Sequence, residues 1–157
     1  NQTLRLLDAK GENVLVERVP RVNFQNMEHD SYVTNCRNIL EKSGSAASWV
    51  PDFQIKKMFN SFQGLPDRYI PDGLFINKLG ELTAFEMEIS RKSLPRYQDK
   101  VDQYVNLANS KFEEELPLKR VLYVTKTPGI QKILTGMTKI NPNIFRVETY
   151  SSLLERT

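Results

Sequence analysis

Three carboxylates, Asp72, Glu86 and Glu88, stand close together in a stretch otherwise suited to burial. Residues 70–76 and 82–89 are rich in β-branched, aromatic and other apolar side chains, and Asn77-Lys78-Leu79-Gly80 between them has turn composition, which predicts a β-hairpin. Alternate side chains of a strand share a face. Glu86, Glu88 and Ser90 are therefore expected on one face, and Phe85, Met87 and Ile89 on the other. Two carboxylates on such a strand are costly unless solvated or matched by cations. A divalent metal is one such cation, since Mg²⁺ takes one or two carboxylates together with waters and substrate phosphate. The alternative is a solvated strand whose acids pair with Arg91 and Lys92.

The order Pro71-Asp72, thirteen residues, then Glu86-Met87-Glu88 resembles the PD-(D/E)xK nuclease core. The resemblance implies a restriction-endonuclease-like α/β fold, a mixed central sheet flanked by helices. It also implies metal-dependent phosphodiester cleavage with Mg²⁺ or Mn²⁺ held by Asp72, Glu86 and Glu88. The motif's final Lys is replaced by Glu88, an E-x-E variant that some restriction endonucleases of this fold share. In the family that Lys positions or deprotonates the attacking water. Here Glu88, or Lys92 from the start of the next helix, would take its place.

A second resemblance covers roughly residues 27–125. The segment 29–35 (HDSYVTN), Trp49, the PDGLF of 71–75, the ExExSxKS of 86–93 and Arg96-Tyr97 look like replication-relaxation proteins and MobC-type plasmid mobilisation relaxases. The resemblance implies a bacterial, cytoplasmic enzyme that nicks one DNA strand at a transfer or replication origin, with accessory mobilisation or DNA-binding proteins as partners. A restriction or repair nuclease of the same fold, or a DNA-binding domain that has lost its chemistry, are the competing expectations.

His29, the chain's one histidine, is a candidate DNA-binding residue beside Asp30 at a helix start; a plain helix-terminal His is the alternative. Arg96 and Tyr97 are candidate DNA contacts as well. The fork of Arg96 matches phosphate oxygens, although an ion pair with Asp99 would also occupy it. Tyr32 and Tyr97 lack the His cluster expected of a covalent tyrosine nucleophile. Trp49 and Cys36 read as core residues.

A chain of 157 residues with 39% apolar and 26% charged residues is expected to form one soluble domain. Its opening Asn1 suggests a piece of a longer protein, and one cysteine, unable to pair internally, fits a reducing compartment. A net charge of +3 is compatible with nucleic acid. Glu113-Glu114-Glu115 reads as a solvated helix end. No apolar run reaches the roughly 18 residues of a membrane span. The chain has no GxxxxGK, CxxC, HExxH or GxSxG, which removes support for nucleotide-driven motors, zinc sites and serine hydrolases.

The elements that must position these residues alternate in type. Strands are predicted at 4–7, 13–19 (turning at 10–13), near Trp49, in the hairpin, at 118–125 and at 144–149. Helices are predicted at 28–42 (ended by Ser43-Gly44-Ser45), from Asp52 through Ile55, Met58, Phe59 and Phe62 to a break at 63–66, at 93–110, and from Pro128 to about Lys139, with a short helical tail. The helix at 93–110 turns Val101, Tyr104, Val105 and Ala108 inward and returns the chain to a parallel strand.

Overall fold

The computed structural model describes residues 5–7, 13–15, 24–60, 70–109 and 118–156. The first strands, β1 (Arg5–Leu7) and β2 (Asn13–Leu15), pair antiparallel with Arg5 opposite Leu15. Their turn, the continuation to residue 19, the break at 63–66, Phe62 and Glu113-Glu114-Glu115 lie outside the described residues, as do the side chains of Met58 and Phe59.

Helix α1 (Phe24–Lys42) starts four residues before the sequence predicts, but ends where expected. Gly44 adopts a left-handed φ of +63°, and the Ser45 N–H bonds back to the Leu40 carbonyl at 2.8 Å. That geometry satisfies carbonyls the last turn would otherwise leave unpaired. Strand β3 (Ala46–Pro51) and helix α2 (Asp52–Asn60) follow, then the predicted hairpin as β4 (Gly73–Asn77) and β5 (Leu82–Glu88). Helix α3 (Leu94–Asn109), β6 (Arg120–Thr125), α4 (Pro128–Thr138), β7 (Phe145–Thr149) and α5 (Tyr150–Leu154) complete the order.

The fold is mixed α/β. A five-stranded sheet runs β3-β4-β5-β6-β7. β3, β4 and β5 pair antiparallel, while β5, β6 and β7 are parallel, joined through α3 and α4. Helices cover both faces. Phe85, Met87, Leu122 and Val124 pack with Cys36, Ile39 and Leu40 of α1 and Leu153 of α5. Ala84, Val121 and Tyr123 pack with Tyr97, Val101 and Tyr104 of α3 and Ile130 and Leu134 of α4. Cys36 is fully buried, which pushes its thiol pKa up to about 12, and Trp49 is buried as expected. Among the described residues no helix is long and apolar enough to cross a membrane.

One close approach fixes the start of the hairpin. A Cβ on Gly73 would lie 2.4 Å from Cζ2 of Trp49, so the indole lies against backbone that only glycine leaves bare. Trp49 also stacks on Phe75 with ring centroids 5.6 Å apart.

Candidate active site

The period of two on β5 decides the site. Ala84, Glu86 and Glu88 take the α3 face, and Phe85 and Met87 take the α1 face. Glu86 and Glu88 are each 1% exposed, so the solvated-strand alternative does not hold. Each carboxylate is instead matched by a cation inside the protein, as burial of charge requires.

Glu86 accepts from Lys100 Nζ at 2.6 Å through Oε2 and from the Tyr104 hydroxyl through Oε1. Burial pushes its carboxyl pKa up to about 7, against the pull of the Lys100 charge. Burial works against the Lys100 ammonium too, but the charge and hydrogen bond of Glu86 outweigh it and its pKa is raised. Glu88 takes a hydrogen bond on Oε1 from Lys92 Nζ at 2.7 Å. Its Oε2 lies 2.7 Å from the same ammonium without hydrogen-bond alignment.

Asp72 sits one residue before β4, where its N–H bonds to the Phe85 carbonyl at 3.1 Å. Its Oδ2 accepts from the Met87 N–H at 2.8 Å and lies 3.2 Å from His29 Nε2. That same nitrogen is 3.2 Å from the Met87 carbonyl. The hydrogen bond to Asp72 outweighs burial and raises the His29 pKa to about 9, so the imidazole is cationic at neutral pH. Burial resists ionisation of Asp72, yet the His29 contact and the Met87 N–H hold its pKa below the usual carboxylate value.

The tertiary structure thus brings Asp72, Glu86, Glu88, Lys92 and His29 to one end of the sheet. Arg96 is exposed on the first turn of α3, and no ion pair with Asp99 forms. Tyr97 corrects the sequence reading. It is 2% exposed, accepts from the Lys92 N–H at 3.2 Å and faces the Ser90 carbonyl at 3.4 Å. Facing the core, it braces the 90–92 turn and offers no surface to DNA. Tyr32 packs edge-on against Tyr150, with Lys126 5.5 Å above its ring.

Sequence reasoning missed Lys100 and Tyr104. The sequence pattern marks Tyr104 only as a core residue. A signal for Lys100 existed, because it falls beside the Tyr97–Val101–Tyr104 stripe, where a lysine needs a buried partner.

Among the described residues no three His, Cys, Asp or Glu side chains already converge as a metal cage. The donor chemistry still fits a hard cation. Glu88 Oε2 lacks a hydrogen bond and, among the described residues, only Oδ2 of Asp72 is engaged, whereas a cation at Glu86 would have to displace Lys100 or Tyr104 from an oxygen. Mg²⁺ needs only one or two such carboxylates because it keeps its waters.

No family model matches the chain, and no curated protein matches it either.

Proposed function

We propose that this chain is a divalent-metal-dependent DNA endonuclease, and that within that class it is a relaxase nicking one strand at a plasmid or mobile-element origin in the bacterial cytoplasm. The observation that carries the reading is the Glu86 pair. A carboxyl at 1% exposure, with its pKa pushed up to about 7, beside a lysine at 2.6 Å, is a costly arrangement outside a catalytic site.

Asp72, Glu86 and Glu88 would hold Mg²⁺ or Mn²⁺, which supplies charge neutralisation at the phosphate and lowers the pKa of water. The chain's own groups do the rest. Glu88, whose Oε2 has no hydrogen bond, is suited to take the proton released when water oxygen bonds to phosphorus and the P–O bond to the leaving nucleotide breaks. Lys100 takes the part of the missing motif lysine, its ammonium near the charge that develops on phosphate. Lys92 supports Glu88 from the edge of the site. His29, cationic and held between Asp72 and the Met87 carbonyl, and Arg96, exposed, are placed to meet DNA phosphates. Accessory mobilisation proteins would supply the origin context.

A second reading rests on a specific observation too. Every one of the three acids is already matched by a cation (Asp72 by His29, Glu86 by Lys100, Glu88 by Lys92), as in a DNA-binding domain that has lost its chemistry. A restriction or repair nuclease of the same fold is separated by its products.

The deciding experiment is Mn²⁺ titration by calorimetry, with and without a short duplex, on the intact chain and on Asp72→Asn. It is paired with cleavage of supercoiled plasmid. The nuclease reading expects saturable Mn²⁺ binding lost in the variant, and cleavage reduced about 100-fold or more by Glu86→Gln or Lys100→Met. Nicked circles alone support the relaxase, and linear products support the restriction or repair enzyme. DNA binding with neither metal uptake nor cleavage establishes the degenerate domain.

A further inference from the structure

A cavity of about 450 Å³ opens at the other end of the sheet. β6 enters it through Arg120, Val121 and Leu122, whereas Glu88 pairs with Thr125 at the far end of the same strand. Three to five strand steps, roughly 10–16 Å, separate the two. The cavity is floored by apolar groups, among them Leu40, Phe75, Leu122 and Phe145, and rimmed by Lys78, Arg120, Arg146 and Arg156. Its volume lies in the range of small-molecule sites.

The charge around this cavity is not balanced. Arg120 is spent, its Nε on Glu81 at 3.1 Å and its Nη1 on the Asn143 carbonyl. Arg146 and Arg156 share the single carboxylate oxygen Oε1 of Glu148. Arg146 uses only its Nε for this, and its side chain is 68% exposed, so among the described residues both terminal amino groups stay uncommitted. Lys78 is exposed and has no ion pair among the described residues. One guanidinium and one ammonium are therefore in excess of the acids that pair with them. The other polar floor groups are used internally: Asn77 on the turn, Ser45 on Ser43 and Thr83 on the Glu81 carbonyl. What the cavity offers a ligand is an apolar surface and unused N–H donors on cations.

We infer that this cavity binds a small oxyanion carried on an apolar body, with the anionic group at Arg146 and Lys78 and the body over Leu122 and Leu79. Phosphate and carboxylate share the required chemistry, because an arginine fork accepts either. The inference is independent of the nuclease reading.

The test uses 1-anilinonaphthalene-8-sulfonate, whose fluorescence rises on an apolar surface, against the full chain. Arg146→Gln leaves Glu148 paired with Arg156, and Leu79→Asp alters a side chain 75% exposed, so both variants should melt like the parent. One saturable site is expected, about tenfold or more weaker in each variant and for neutral anilinonaphthalene. Competition by phenyl phosphate against benzoate shows which oxyanion is preferred. Asp72→Asn should bind the probe like the parent, which keeps this result separate from the fate of the other site. Absence of saturable binding, equal affinity for the neutral probe, or undiminished binding in either variant overturns the proposal.

Discussion

Nε2 of His29 lies 3.2 Å from Oδ2 of Asp72 and 3.2 Å from the carbonyl of Met87, so one imidazole ties helix α1 to both strands of the hairpin. The pair places a positive charge at a residue for which the sequence offered two readings, a DNA contact and a plain helix-terminal histidine. It also makes the site sensitive to pH on both sides of neutrality.

The first prediction follows from that pair. His29 is the chain's one histidine, so its ring resonances report without ambiguity. Its titration midpoint is expected near 9 rather than 6.5, falling back toward 6.5 in Asp72→Asn. Because the folded pKa is raised, its contribution to stability is full below about 6.5 and is lost as pH rises through about 9. Asp72 has a lowered pKa, so its contribution is present above its ordinary value and lost as pH falls through the folded one. An NMR titration showing an ordinary midpoint in the parent protein would remove the ion pair.

Lys100→Met should drive the Glu86 carboxyl to its protonated form and leave it short of a partner in the core, at a cost of about 1–3 kcal/mol near pH 8. Adding Glu86→Gln should recover most of that loss, since a neutral amide needs no cation. Glu86 ionises only about pH 7 when folded, so its charge costs stability as pH climbs from 4.5 to 7. Urea melts at pH 5 and pH 8 should therefore show the Lys100→Met defect shrinking in acid. Equal defects at both pH values would speak against the pairing.

Gly73→Ala forces a methyl group into the ring of Trp49, a contact of 2.4 Å to a rigid aromatic carbon. Overpacking of this kind costs about 1–3 kcal/mol. The indole is the chain's one tryptophan, so its emission reports the displacement directly. Trp49→Leu in the same chain should relieve part of the strain. An unshifted emission spectrum and unchanged melting would show that the strand yields freely.

Arg96 and Tyr97 are neighbours with opposite expected effects. Arg96→Ala removes an exposed charge and should lower the salt dependence of DNA binding by about one counterion without altering the melt. Tyr97→Phe should cost about 1 kcal/mol of stability through its lost hydrogen bonds and leave DNA affinity intact. Fluorescence anisotropy across a salt series, with parallel melts, separates them. The reverse pattern would return Tyr97 to the DNA surface.

The sequence by itself determined the elements and their order. The turn at 77–80, the alternation along 82–88 and the helical stripe through Val101 and Tyr104 are local patterns, and the hairpin, α3 and α4 stand close to where those patterns put them. Local period also put Glu86 and Glu88 on one face. Tertiary structure alone decided what each acid meets. Lys100 reaches Glu86 because α3 crosses that face of β5, and His29 reaches Asp72 across 43 positions of chain because α1 covers the other. Tyr97 shows the same limit from the other side. Its position in the motif suggested a DNA contact, but the packing of α3 turned it into the core. Arg146 and Arg156 converge on Glu148 for a similar reason, since α5 folds back along β7. Periodicity records which face of an element is apolar, whereas the partner of a buried charge depends on where elements dock, and that is fixed by packing summed over the whole sheet.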